Sequence, residues 1–258
     1  MGHTITKAIK YLFSGIIILS FFSSCQKSKS KLFTKLPAKQ TGVTFSNDLT
    51  FHQDFNIYRY RNFYNGGGVA VGDVNNDGLP DLFFTANMKK NHLYLNQGNF
   101  KFVDVTKKAK IGGTHSWSTG VSMADVNGDG LLDIYVCNSG IVKGDDRRNE
   151  LYINNGDTTF TEEAAAYGID DPAMSIQANF FDYDRDGDLD LYLVNNTYRA
   201  IGSFDLQKNN RNKRNSLGGD KLYRNDGDHF TDVSAKAGIY SNETGFGLGV
   251  SVSDVNRD

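Results

Sequence analysis

Three nine-residue acidic loops and the start of a fourth punctuate this chain: Asp-Val-Asn-Asn-Asp-Gly-Leu-Pro-Asp from Asp73, Asp-Val-Asn-Gly-Asp-Gly-Leu-Leu-Asp from Asp125, Asp-Tyr-Asp-Arg-Asp-Gly-Asp-Leu-Asp from Asp182, and Asp-Val-Asn-Arg-Asp from Asp254. Oxygen-bearing side chains at positions 1, 3 and 5, a glycine at 6 for the sharp turn, a carbonyl at 7 and a carboxylate at 9 can supply the six to eight oxygens that a hard cation such as Ca2+ prefers. Thirteen of the thirty acidic residues lie in these loops, a concentration of like charge that destabilises a fold unless cations neutralise it. The competing reading is a set of Asx-rich turns without metal.

A second signature alternates with the loops: Leu93-Tyr94-Leu95-Asn96-Gln97-Gly98, Leu151-Tyr152-Ile153-Asn154-Asn155-Gly156 and Leu222-Tyr223-Arg224-Asn225-Asp226-Gly227. Each reads as a strand entering a tight Asn-x-Gly turn. Phe102, Phe160 and Phe230 follow, and nine residues after each comes Ile111, Ile169 or Ile239. The repeating unit is therefore supersecondary, with four strands. Strand one is small and apolar (Gly68 to Val71, Gly120 to Ala124, Ala178 to Phe181, Gly247 to Val252). Strand two follows the loop (Leu82 to Ala86, Ile134 to Asn138, Leu191 to Asn195), strand three is the Leu-Tyr stretch, and strand four starts near the Phe. Strand two is almost continuously apolar, as expected of a sheet covered on both faces. The predicted fold is all-β, a β-propeller of four-stranded blades with about three and a half blades in the chain.

Spacing gives orientation. From the Leu of strand three to the next loop's first Asp is 32, 31 and 32 residues, whereas from the first Asp to the following Leu is 20, 26 and 40. All the variation lies between strands two and three. In an up-and-down blade successive turns alternate between rims, so the acidic turns face one rim and the insertions, around Ile141 to Arg148 and Thr197 to Gly218, face the other. Insertions gathered on one face mark a binding face.

Residues 1–25 read as an address: Lys7 and Lys10 precede an apolar run, Tyr11 to Phe22, too short for a transmembrane span. Phe22-Ser23-Ser24-Cys25 then resembles a bacterial lipobox, which implies lipidation at Cys25; an ordinary signal peptide with an incidental Cys is the alternative. Residues 26–40 carry five lysines and no acid and read as a basic tether near an anionic membrane surface. Residues 41–258 hold the repeats. Removal of the leader moves the net charge from −2 to −4. Cys137 is then the one remaining cysteine outside the lipobox, which excludes an intrachain disulfide and suits a buried small hydrophobe.

These loops and Leu-Tyr-x-Asn-x-Gly units resemble the FG-GAP and VCBS-type repeats of integrin α-subunit-like propellers. With Asn65-Gly66-Gly67-Gly68-Val69-Ala70-Val71-Gly72-Asp73 they look like bacterial members of the cartilage-acidic-protein type, often joined to an ASPIC/UnbV segment. The resemblance implies calcium ligation by Asp73, Asn75, Asp77 and Asp81 with the Leu79 carbonyl, and by Asp125, Asn127, Asp129 and Asp133 with the Leu131 carbonyl. In the third loop it implies Asp182, Asp184, Asp186 and Asp190 with the Asp188 carbonyl, and in the fourth Asp254, Asn256 and Asp258. An EF-hand fails, because position 12 is Phe84, Val136 or Leu193 rather than Glu and strands flank the loops. Such propellers usually have seven blades, so the chain is expected to be an N-terminal piece of a longer product.

The function expected is a lipid-anchored, calcium-binding protein of the bacterial cell envelope, at the outer membrane, that binds a macromolecule or glycan. The alternative is part of a calcium-dependent polysaccharide-processing enzyme. No nucleophile elbow, Walker loop or His-Glu-x-x-His helix is present, and the five histidines are scattered. Lys208, Arg211, Lys213 and Arg214 fall short of the basic footprint of a nucleic-acid binder. Trp117 reads either as packing between blades or as a stacking surface for a sugar.

Overall fold

Strand two explains the fold. In the second repeat it runs Asp133–Asn138 with every residue buried. Its side chains alternate between two cores: Tyr135 and Cys137 join Ala178, Leu191 and Phe230 of the third repeat, while Ile134 and Val136 join Val74, Phe83 and Leu93 of the first. A strand with sheets on both faces has no solvent side, which is why Ile134 to Cys137 form an unbroken apolar run. Each such fully buried aliphatic side chain contributes about 1.5–3 kcal/mol.

The computed structural model describes residues 31–197, 199 and 213–256. The described residues divide into two units, 31–36 and those from 37 onward; the first carries no helix or strand. In the second, three four-stranded sheets follow one another, each in sequential order with antiparallel neighbours. Sheet one has β1 (Val69–Gly72), β2 (Asp81–Phe84), β3 (His92–Asn96) and β4 (Phe102–Asp104). Sheet two has β5 (Ser118–Ala124), β6 (Asp133–Asn138), β7 (Glu150–Asn154) and β8 (Phe160–Glu162). Sheet three has β9 (Met174–Phe181), β10 (Asp190–Asn196), β11 (Lys221–Asn225) and β12 (Phe230–Asp232). Among the described residues there are also short helices α1 (Ala38–Thr41), α2 (Thr106–Ala109) and α3 (Ala164–Tyr167). Ile111 and Ile169, just past α2 and α3, are fully buried and close each connector onto its blade. Among the described residues no helix is long and apolar enough to cross a membrane.

The sheets are propeller blades. Their first strands meet: a Cβ on Gly68 would lie 2.8 Å from the Thr119 carbonyl oxygen, and one on Gly120 would lie 2.4 Å from that of Ile176. Only glycine allows this approach. Side chains bridge the same seam, Thr85 Oγ1 donating to the Thr119 carbonyl and Thr119 Oγ1 to that of Ser175 at 2.7 Å.

One expected strand does not form. Gly247 to Val252, read as strand one of a fourth blade, makes no ladder; the isolated bridge Asn196–Phe246 and two bonds of 3.3 Å between Gln177 and Val250 hold it beside blade three. Among the described residues no strand pairs with it to build a ladder, so its backbone groups stay outside any sheet.

Candidate metal centres

The three complete acidic loops share one geometry between the first and second strand of each blade. In the first, Asp73 accepts from the amides of Asp77 at 3.1 Å and Gly78 at 2.7 Å, Asp77 accepts from Leu79 at 2.9 Å, and Asn75 Nδ2 donates to Asp77 at 2.9 Å. The second repeats this through Asp125, Asp129, Leu131 and Asn127, at 3.0, 2.8, 2.8 and 2.9 Å. In the third, Asp182 accepts from Arg185 at 2.6 Å and Gly187 at 3.2 Å, and Asp186 from Asp188 at 3.2 Å. The backbone thus curls around side-chain oxygens of positions 1 and 5. Gly78, Gly130 and Gly187 take φ of +83°, +85° and +100°, the left-handed turn expected at position 6. Position 4 is left-handed as well, with Asn76 at +56°, Gly128 at +74° and Arg185 at +66°, a requirement the sequence conceals because three different residues meet it.

The ninth-position carboxylates do more than face a cation. Asp81, Asp133 and Asp190 are fully buried, and each accepts two backbone amides. One comes from loop position 2 (Val74 at 3.0 Å, Val126 at 2.9 Å, Tyr183 at 2.7 Å). The other comes from the Asn ending strand three (Asn96 at 2.8 Å, Asn154 at 2.8 Å, Asn225 at 2.9 Å). Burial, reinforced by Asp129 and Asp125, pushes the Asp133 carboxyl up from 3.8 to about 6 against the pull of those amides. Asp81 and Asp190 move upward for the same reason. Asp188, assigned only a carbonyl role, has a side-chain oxygen that is buried without a partner, and burial and Asp186 push its carboxyl to about 6.

This donor set fits a hard divalent cation. In the third loop Asp182, Asp184 and Asp190 bring ligand oxygens within 4.8 Å of one another. The first two loops hold Asn at position 3, one carboxylate fewer. Asp254 and Asn256 are exposed and lie outside any strand, and Asp258 lies outside the described residues, as does Cys25.

The antiparallel order puts the acidic turns at one end of the strands and the connections between strands two and three at the other. At that other end the connector through His115 meets the Ile141–Arg148 insertion. His115 Nδ1 is 2.6 Å from Asp145 and 3.5 Å from Asp146, fastening the connector to the Ile141–Arg148 insertion. Burial raises the Asp145 carboxyl, but the amides of Arg147 and Ser116 and the His115 ring outweigh it and hold it below the usual range. Trp117 is 1% exposed and packs edge-on against Phe55 at 4.8 Å and Tyr60 at 5.5 Å, so it is packing rather than a stacking platform. Lys213 and Arg214 are described and Lys208 and Arg211 are not; Arg214 donates to the Ile239 carbonyl at 2.6 Å.

Three blades with one loop geometry invite comparison with repeat families, and residues 73–136 and 140–193 match the FG-GAP-like repeat. These two segments, a little under half of the chain, are similar to FG-GAP-like repeats. Over 141 residues it is 30% identical to cartilage acidic protein 1 of Xenopus tropicalis, covering 54% of this chain and 21% of that protein. The mouse protein of that name is 31% identical over 139 residues, covering 52% and 20%. Integrin alpha-8 of Gallus gallus is 33% identical over 126 residues, covering 43% and 12%. The chain therefore spans about a fifth or less of the length of these relatives.

Proposed function

We propose that this chain is a calcium-stabilised binding module of the bacterial cell envelope, exported, anchored by lipid at Cys25, and directed at a macromolecule or glycan. The observation that carries this reading is the division of labour within each blade. One rim repeats the same carboxylate-lined turn three times, and the other carries connections of unequal length on a rigid scaffold, which is where binding chemistry can vary. Calcium would be held by Asp73, Asn75, Asp77 and Asp81, by their counterparts from Asp125 to Asp133, and by Asp182, Asp184, Asp186 and Asp190. Its contribution is charge neutralisation in the turns; contact with the partner falls to the opposite rim. The likeness to proteins named for integrin and for cartilage supports a binding role.

The test is an array of polysaccharides and envelope or matrix proteins probed with calcium-loaded protein. Retention on at least one class is expected, lost when Ile141–Arg148 is shortened while the melting temperature holds. Turnover of a polysaccharide without retention would instead support the calcium-dependent processing enzyme. Mass spectrometry of protein from the native envelope is expected to find a diacylated Cys25; a free thiol there would remove the anchor from the proposal.

A further inference from the structure

A cavity of about 460 Å3 opens where the first strands of all three blades begin, at the ends remote from the acidic loops. Val69 of β1, Gly120 and Val121 of β5, and Ile176 and Gln177 of β9 form its floor, and the turn through Asn62 to Gly68 forms one side. Small-ligand sites typically enclose about 300–1,000 Å3. No carboxylate, ammonium, guanidinium or imidazole is among the described groups that line it. Its polar atoms are amides, hydroxyls and glycine backbone, and burial pushes the Tyr60 phenol above its ordinary range, so this wall stays uncharged.

One of those polar groups is unmatched. Asn62 is 8% exposed; its side chain sits near enough to the Tyr60 hydroxyl to pull that phenol downward, yet its Nδ2 has no acceptor at hydrogen-bond distance in the protein. Its neighbours are matched: the Tyr60 hydroxyl with Ser139 Oγ at 2.9 Å, Thr119 Oγ1 with the Ser175 carbonyl at 2.7 Å, and Gln177 with Val250 at 3.3 Å. A buried donor left unpaired costs about 1–3 kcal/mol, which an oxygen supplied from the cavity would recover. Val69 and Leu248, 57% and 65% exposed, add apolar surface to the same wall. Uncharged amides and hydroxyls beside exposed aliphatic groups match the hydroxyl-edged, C–H-faced surface of a sugar ring.

We infer that this cavity receives one neutral sugar residue of a glycan, an oxygen of the sugar accepting from Asn62 Nδ2 and its ring lying against Val69 and Leu248. The inference rests on the reading of the chain as a binding module and narrows its ligand. The test uses calcium-loaded full chain with glucose, galactose, mannose, N-acetylglucosamine and their disaccharides, read by saturation-transfer NMR and titration calorimetry. At least one is expected to bind, with Asn62→Leu weakening it tenfold or more and Val69→Trp, at an exposed position, abolishing it. Should Asn62→Leu fail to fold, Val69→Trp decides alone. If no neutral sugar binds, or if binding is indifferent to Val69→Trp, the inference is overturned. Protein or charged-glycan capture on the array that survives Val69→Trp would leave the binding-module reading standing without it.

Discussion

The side-chain amide of Asn154 donates to the main-chain carbonyl of Val74 at 2.8 Å, so strand three of the second blade holds the acidic loop of the first. Asn225 does the same to Val126 one blade later, at 3.3 Å. The same Asn154 makes three further hydrogen bonds: its backbone amide on Asp133 at 2.8 Å, its Oδ1 accepting from Gly156 at 3.0 Å, and its Nδ2 also reaching the Leu132 carbonyl at 3.1 Å. The Asn of the Leu-Tyr-x-Asn-x-Gly unit is thus the joint between turn, loop and neighbouring blade.

Asn154→Ala should therefore cost about 2–4 kcal/mol, since it strands buried carbonyls and removes the turn cap. Asn155→Ala, on an exposed neighbour, should change stability by less than about 0.5 kcal/mol. Urea unfolding of both variants at saturating calcium measures the difference; equal midpoints would show that the joint is incidental.

Much of this was legible because the repeat is periodic. β4, β8 and β12 begin at Phe102, Phe160 and Phe230, the positions the spacing marks. The double-sided burial of β6 follows from its unbroken apolar run. What periodicity does not encode stayed hidden. Phe45 stacks on Phe84 at 4.9 Å, Asn47 and Asn87 exchange bonds of 2.9 and 2.8 Å, and Phe55, Tyr60 and Phe63 enclose Trp117. All of these involve residues 43–67, which form no strand and repeat nowhere. The role of Asp81, Asp133 and Asp190 as anchors was masked by their value as ligands, because one carboxylate serves both purposes. The His115–Asp145 pair joins a connector of constant length to an insertion of variable length, and no spacing rule reaches across them.

Calcium titration of chelator-stripped protein should resolve three sites. The third should be the tightest, because Asp182, Asp184, Asp186 and Asp190 supply four side-chain carboxylates where the other loops supply three. Asp184→Asn should bring the third site down to the affinity of the other two. Calorimetry without heat, and a melting temperature unmoved by calcium, would remove the metal from the account.

Stability should also depend on pH in opposite senses with and without calcium. The Asp133 carboxyl sits at about 6 in the folded, metal-free chain against 3.8 ordinarily. A raised folded value stabilises when protonated, so its contribution is full below about 3.8 and is lost as pH rises through about 6. Metal-free protein should lose stability between about pH 4 and 6 on this account. Calcium requires the ionised carboxylate, so its stabilising effect should grow over the same interval. Melting temperatures recorded from pH 4.5 to 8 with and without calcium give both curves; parallel curves would refute the linkage.

The segment before the first blade should prove structural. Phe55 is 7% exposed, meets Trp117 edge-on at 4.8 Å, and lies 5.7 Å from Tyr60 and 5.6 Å from Phe63, so truncation leaves a cavity among three aromatic rings. Phe55→Ala should cost about 3–5 kcal/mol. Because Trp117 is the sole tryptophan, its emission reports that site alone. The variant should show red-shifted emission in the folded state and an earlier unfolding midpoint, with the calcium affinity of the third loop unchanged, since the cluster lies at the strand ends opposite the acidic turns. A mutant with wild-type emission and stability would mean that residues 43–67 only rest on the blade, and that the buried state of Trp117 is fixed by the blades themselves.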